Sequence, residues 1–164
     1  EIPYPSIADI GYFAAIPLYA FSMYHFAKTA GAKLSLQTIR GKMIVIIIPL
    51  LILVVSYYIF LKDFTPDLSE PIRTFLDYGT PLGYAISLSM ALVAYGLSRG
   101  ILGGKMKTRV LFIIVAFIIE YITDFTFLYQ YAAGTYYNAG VNDLMFATSF
   151  TIMSLALISF KEYE

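Results

Sequence analysis

Cysteine is absent from this chain and His25 is its only histidine. Thiolate catalysis, disulfides, a zinc triad and a Ser-His-Asp relay therefore lack their parts. What remains for chemistry is carboxylates and tyrosines. Glu120 and Asp124 stand one helical turn apart inside an apolar run, so they share a face. An acid at the bilayer centre costs a few kcal/mol and usually faces a cavity or a partner. With no basic residue at that depth, both are expected to be held as neutral acids, bonded to nearby hydroxyls or exposed to a polar cavity. Ser6-x-x-Asp9 and Thr74-x-x-Asp77 have the spacing of capping boxes, in which the acid supports a helix start. Asp143 is likewise expected in a first turn, where the helix dipole favours an anion.

The elements that carry these acids follow from composition. Hydrophobic residues make up 59% of the 164 and charged residues 13%, with mean hydropathy +0.73. Soluble domains carry about 25% charge, so a chain this apolar reads as a membrane protein. Lys and Arg balance Asp and Glu at 11 each, and no basic excess points to nucleic acid. Crossing about 30 Å of hydrocarbon takes about 20 apolar residues. Five stretches qualify, at 7–27, 43–61, 76–98, 110–131 and 143–160. The expected architecture is all-α, a single domain over residues 1–164 built as a bundle of about five transmembrane helices. Small residues along the third span, from Gly79 and Gly83 to Ala91, favour a central, closely packed position for it.

Charge sets the expected orientation. Lys28, Lys33, Arg40, Lys42, Arg99, Lys105, Lys107, Arg109 and Lys161 fall on one side, while only Lys62 and Arg73 fall on the other. The N-terminus is expected outside and the C-terminus in the cytoplasm, as in a multi-pass protein of the cell membrane. Asp9, Asp77 and Asp143 then occupy the outer ends of the first, third and fifth spans, and Asp124 lies just below them. Of the eleven acids only Glu162 and Glu164 lie inside. If the helices converge outward, Asp9, Asp77, Glu120, Asp124 and Asp143 surround one polar pocket, with Tyr12 or Tyr78 as hydrogen-bond partners. Such a pocket suits a cation, a proton-linked switch or a small polar ligand.

The order of several short motifs carries a resemblance. Pro5-Ser6-Ile7-Ala8-Asp9-Ile10-Gly11-Tyr12 is followed by Ile16-Pro17-Leu18, then Thr80-Pro81-Leu82-Gly83, Thr123-Asp124 with Phe127, Gly134-Thr135-Tyr136, and Gly140 with Asp143. This series resembles the multi-span, membrane-embedded N-terminal sensor modules of prokaryotic histidine kinases and diguanylate cyclases. The resemblance covers nearly the whole chain. It implies a sensor module, either excised or working with a separate cytoplasmic output domain. Tyr84 departs from the pattern, because the family often has an acid after that glycine.

The functional expectation is a non-catalytic membrane sensor or signal-transducing module, with the acidic pocket as input and the helix ending at Phe160-Lys161 as output lever. One alternative is an accessory subunit of a larger membrane complex, its tyrosine-rich faces serving as protein contacts. Another is a small proton-coupled carrier using Glu120 and Asp124. No cofactor, metal or catalytic residue is expected, and the expected partners are membrane lipids and other membrane subunits. A retinal protein is set aside because every lysine lies in a loop or at a span end.

Overall fold

The computed structural model describes residues 5–29, 32–62, 65–100 and 103–161. Among them the chain is all-helical, without a strand. The helices are α1 (Ile7–Thr29), the short α2 (Ala32–Ser35), α3 (Ile39–Ser56), α4 (Pro71–Ser98), α5 (Gly104–Ala132) and α6 (Val141–Lys161). Five are long and apolar enough to cross a membrane, matching the five expected spans in order. Asp63, Glu162 and Glu164 lie outside the described residues.

Helix starts differ from the apolar boundaries because helices run on into polar sequence. Pro71 opens α4, five residues before the apolar stretch, since its fixed φ and missing N–H suit a first helical position. The helix α3 continues into a π-helical turn at Tyr57–Leu61, where the Lys62 N–H reaches back to the Tyr57 carbonyl at 2.8 Å. Just before this turn the buried Ser56 hydroxyl meets the Tyr121 hydroxyl at 2.8 Å, tying α3 to α5.

Lipid offers no hydrophobic drive between helices, so packing and interhelical hydrogen bonds must hold them together. The centre is α4, which packs against α1, α3 and α5. It runs parallel to α1, with Phe13 over Gly79 and Ile16 over Gly83. The core joins Ala85, Leu88 and Ala91 of α4 to Val110, Ile113, Ile114, Phe117, Tyr121 and Phe125 of α5, and to Met153 and Ala156 of α6. Tyr19 of α1 packs edge-on against Phe117 at 5.1 Å. The Ser149 hydroxyl of α6 donates to the Ala116 carbonyl of α5 at 2.9 Å. By contrast, α1 and α3 expose Ile10, Leu18, Phe21, Ile46, Leu50 and Leu51. An apolar belt of this extent is untenable in water and carries no cost in hydrocarbon.

Candidate functional site

Two helices present the same four-position stripe at one end of the bundle. On α4 it is Asp77, Thr80, Pro81 and Tyr84; on α5 it is Asp124, Phe127, Leu128 and Tyr131. Spacing of i, i+3, i+4 and i+7 puts each set on one helix face. The two faces look into a cavity of about 950 Å³, closed by Asp9 and Tyr12 of α1, Asp143 and Phe146 of α6, and Gly134, Tyr136, Tyr137 and Asn138 of the α5–α6 loop. The cavity therefore sits where α1, α4 and α6 begin and α5 ends. Its proline lies on the wall, and an interrupted helical backbone at membrane depth is tolerated where it lines a cavity. From Asp77 to Tyr84 the wall descends about 10 Å along α4.

Four of the five acids singled out from the sequence line this cavity: Asp9, Asp77, Asp124 and Asp143. Glu120 does not. It lies one turn further along α5, 3% exposed, among the hydroxyls of Tyr84 and Ser149. Neither of its carboxyl oxygens closes a hydrogen bond within the described chain.

Three of the lining acids are engaged locally. The Asp9 carboxylate accepts from the Ser6 N–H at 2.6 Å and the Ser6 hydroxyl at 3.0 Å, which is the capping role its spacing suggests. Asp143 accepts from the Tyr136 hydroxyl at 2.9 Å and the Ala139 N–H at 2.5 Å, so it closes the α5–α6 loop onto the start of α6. That loop turns through left-handed backbone at Gly134 (φ 65°) and Ala139 (φ 61°). Burial and the bond to Asp143 push the Tyr136 hydroxyl up to about 12.

Asp77 departs from its expected capping box. Because α4 starts at Pro71, Asp77 lies in the second turn, and Thr74 donates instead to the Asp67 carbonyl at 2.6 Å. Asp77 faces Arg73, whose Nε is 3.8 Å from its carboxylate. Arg73 also bonds Glu70 at 3.1 Å and lies over the Tyr131 ring at 4.9 Å. The rim thus holds one cation that the acid pattern alone did not place.

The floor differs. Asp124 is 6% exposed and Tyr84 1% exposed; the Asp124 Oδ2 has no hydrogen-bond partner in the described chain, while the Tyr84 hydroxyl lies beside Glu120. Buried polar atoms are normally satisfied, so the unpartnered Asp124 oxygen beside the cavity is an exception that calls for an explanation.

Aromatic side chains make the walls. Phe127 meets Tyr136 edge-on at 5.0 Å, and Tyr12 stacks on Phe150 at 6.3 Å beside Phe146. Of the tyrosines expected to serve the pocket, Tyr12 lines it and Tyr78 does not. Tyr131 and Phe146 were not singled out from the sequence. Their helical spacing from Asp124 and Asp143 is the signal that finds them.

Fold and cavity together define a multi-pass helical membrane protein with a polar, aromatic-walled cavity at one end of the bundle. Compared with protein-family models, curated proteins and solved structures, the chain has no significant match.

Proposed function

We propose that this chain is a non-catalytic sensor or signal-transducing module of the cell membrane, with the cavity as its outward-facing input. The observation that carries the reading is the convergence of Asp9, Asp77, Asp124 and Asp143 on one cavity with the unpartnered Asp124 oxygen at its floor. The outward assignment rests on the nine-to-two distribution of Lys and Arg, which supports a cytoplasmic side for the loops after α1 and α4. The resemblance of the motif order to prokaryotic sensor modules supports the same reading. Mechanically, α4 and α5 both line the cavity and form the core below it, so a ligand that draws their stripes together acts on the packed centre of the bundle. Interfaces of this kind shift between discrete packings rather than deform continuously.

The test uses the chain in lipid nanodiscs. A panel of small metabolites is screened by thermal shift against the intact protein and the Asp124→Asn variant. Hits that stabilise only the intact protein are then followed by spin-label distances between Gly103 and Ser159, at the end of the bundle remote from the cavity. The native chain has no cysteine to interfere with labelling. A ligand-dependent change in that distance supports the sensor reading. Binding with no change at the far end overturns signalling, and a screen without selective hits overturns the cavity as an input.

A further inference from the structure

Resting on the cavity as a ligand site, we infer that its ligand is a protonated primary amine carried on a compact aromatic or branched apolar body. Charge gives the sign. Four acidic side chains line the cavity and, among the described residues, no lysine or arginine does. Arg73, the nearest cation identified, is directed to Asp77 and Glu70 at the rim. A concave site lined by one sign of charge concentrates ligands of the other.

The local bonds give the position. Asp9 is engaged by Ser6, Asp143 by Tyr136 and Ala139, and Asp77 by Arg73. Asp124 keeps an unpartnered Oδ2 although it is 94% buried by exposure. An ammonium group seated there, with Asp124 giving up its proton to water as the ligand binds, forms a charge-assisted bond in a low-dielectric setting, where such bonds are strongest. The neighbouring Tyr84 hydroxyl lies beside Glu120 and still offers its oxygen to a second N–H. Two acceptors on one floor call for a head group with N–H donors, and a quaternary ammonium has none. A bare metal ion fits poorly, because the described residues include no group of three metal-ligating side chains and the cavity of about 950 Å³ far exceeds an ion. The volume instead lies within the range of small-molecule pockets.

The walls give the body. Tyr12, Phe127, Tyr131, Tyr136 and Phe146 line the space above the floor. Aromatic faces attract a cation near the head group and stack on an apolar ring beyond it. The ligand therefore enters charge first, with its apolar end held between α1, α6 and the α5–α6 loop.

Three probes with one shared body separate the terms: 2-phenylethylamine, 2-phenylethanol and phenylacetate, titrated calorimetrically into the chain in nanodiscs. The amine is expected to bind, with the alcohol and the acid weaker by at least about tenfold. Asp124→Asn should cost the amine at least about tenfold in affinity, and Tyr84→Phe a smaller factor. Circular dichroism and monodisperse elution check that each variant folds; if Asp124→Asn does not, Tyr84→Phe carries the test. Equal binding of the alcohol or the acid overturns the cationic assignment and leaves the cavity a ligand site. Failure of all three at about 10 mM overturns the assignment as well. In that case a selective hit of another chemistry in the metabolite panel preserves the sensor reading, and its absence removes both.

Discussion

A glycine-to-alanine pair gives the sharpest test of the packing that holds the cavity together. A Cβ added at Gly83 meets Ile16 at 2.5 Å from Cδ1, 2.7 Å from Cγ2 and 3.2 Å from Cγ1. The δ-methyl can swing away, but Cγ2 and Cγ1 are fixed to a β-branched carbon with one preferred helical rotamer. Relief must therefore come from separating α1 and α4. Overpacking of this kind costs about 1–3 kcal/mol, against about 1 kcal/mol gained by replacing a helical glycine with alanine. Gly83→Ala should be destabilising by up to about 2 kcal/mol. At Gly11 an added Cβ finds nothing within 4 Å, so Gly11→Ala should show only the propensity gain. The assay is thermal unfolding in detergent, where the two variants should differ by about 3–10 °C for a chain of this size. Ile16→Ala, which removes all three clashing atoms, should make Gly83→Ala harmless. Leu53→Phe on the exposed face of α3 serves as the tolerant control. A Gly83→Ala variant as stable as Gly11→Ala would show that α1 does not lie against α4 at this depth.

Two further outcomes test the loop and the orientation. The Tyr136 hydroxyl is raised by burial and by its bond to Asp143, so its share of stability is present below about 10, the unfolded value, and is lost as pH rises toward 12. Ultraviolet titration should find this tyrosine ionising above its ordinary value, and Asp143→Asn should return it part of the way. Single cysteines at Gly103 and Asn138 should give opposite results with an impermeant thiol reagent applied to intact cells, only the second reacting. Labelling of Gly103 from outside would reverse the topology.

The five spans were legible because each is an apolar run of about the length that crosses the hydrocarbon core, and the sequence contains few such runs to confuse. Their ends were not, because a helix does not stop where its hydropathy does. At α4 this had a chemical consequence. Thr74 and Asp77 have capping-box spacing, but Pro71 starts the helix three residues before Thr74 and converts Asp77 into a partner for Arg73. The convergence of Asp9, Asp77 and Asp143 was foreseeable from helix direction: three helices starting at the same end bring the residues of their first two turns together. The reach of Tyr136 back to Asp143 was not, since it depends on two left-handed residues, at Gly134 and Ala139, of which only the glycine signals its conformation in the sequence.

Glu120 and Asp124 show where helical periodicity stops being informative. One turn apart on the same face, they read as a matched pair, yet one lines the cavity and the other is sealed below it. About 6 Å of helix rise separates a group that lines the cavity from one enclosed by Tyr84, Ser149 and the α5–α6 packing. Burying an unpaired carboxylate costs far more than burying the neutral acid, and among the described residues no ion pair reaches Glu120. Held as a neutral acid, Glu120 is close in shape and hydrogen-bonding capacity to glutamine. Glu120→Gln should then shift stability by less than about 1 kcal/mol and leave ligand affinity at the floor unchanged. Glu120→Leu keeps the volume but removes both polar atoms, and should be neutral or stabilising, because groups without partners contribute no bonds to lose. The measurement is thermal unfolding with and without 2-phenylethylamine. A loss of several kcal/mol in Glu120→Gln would mean that the carboxylate is charged and paired, making the two acids one functional unit after all.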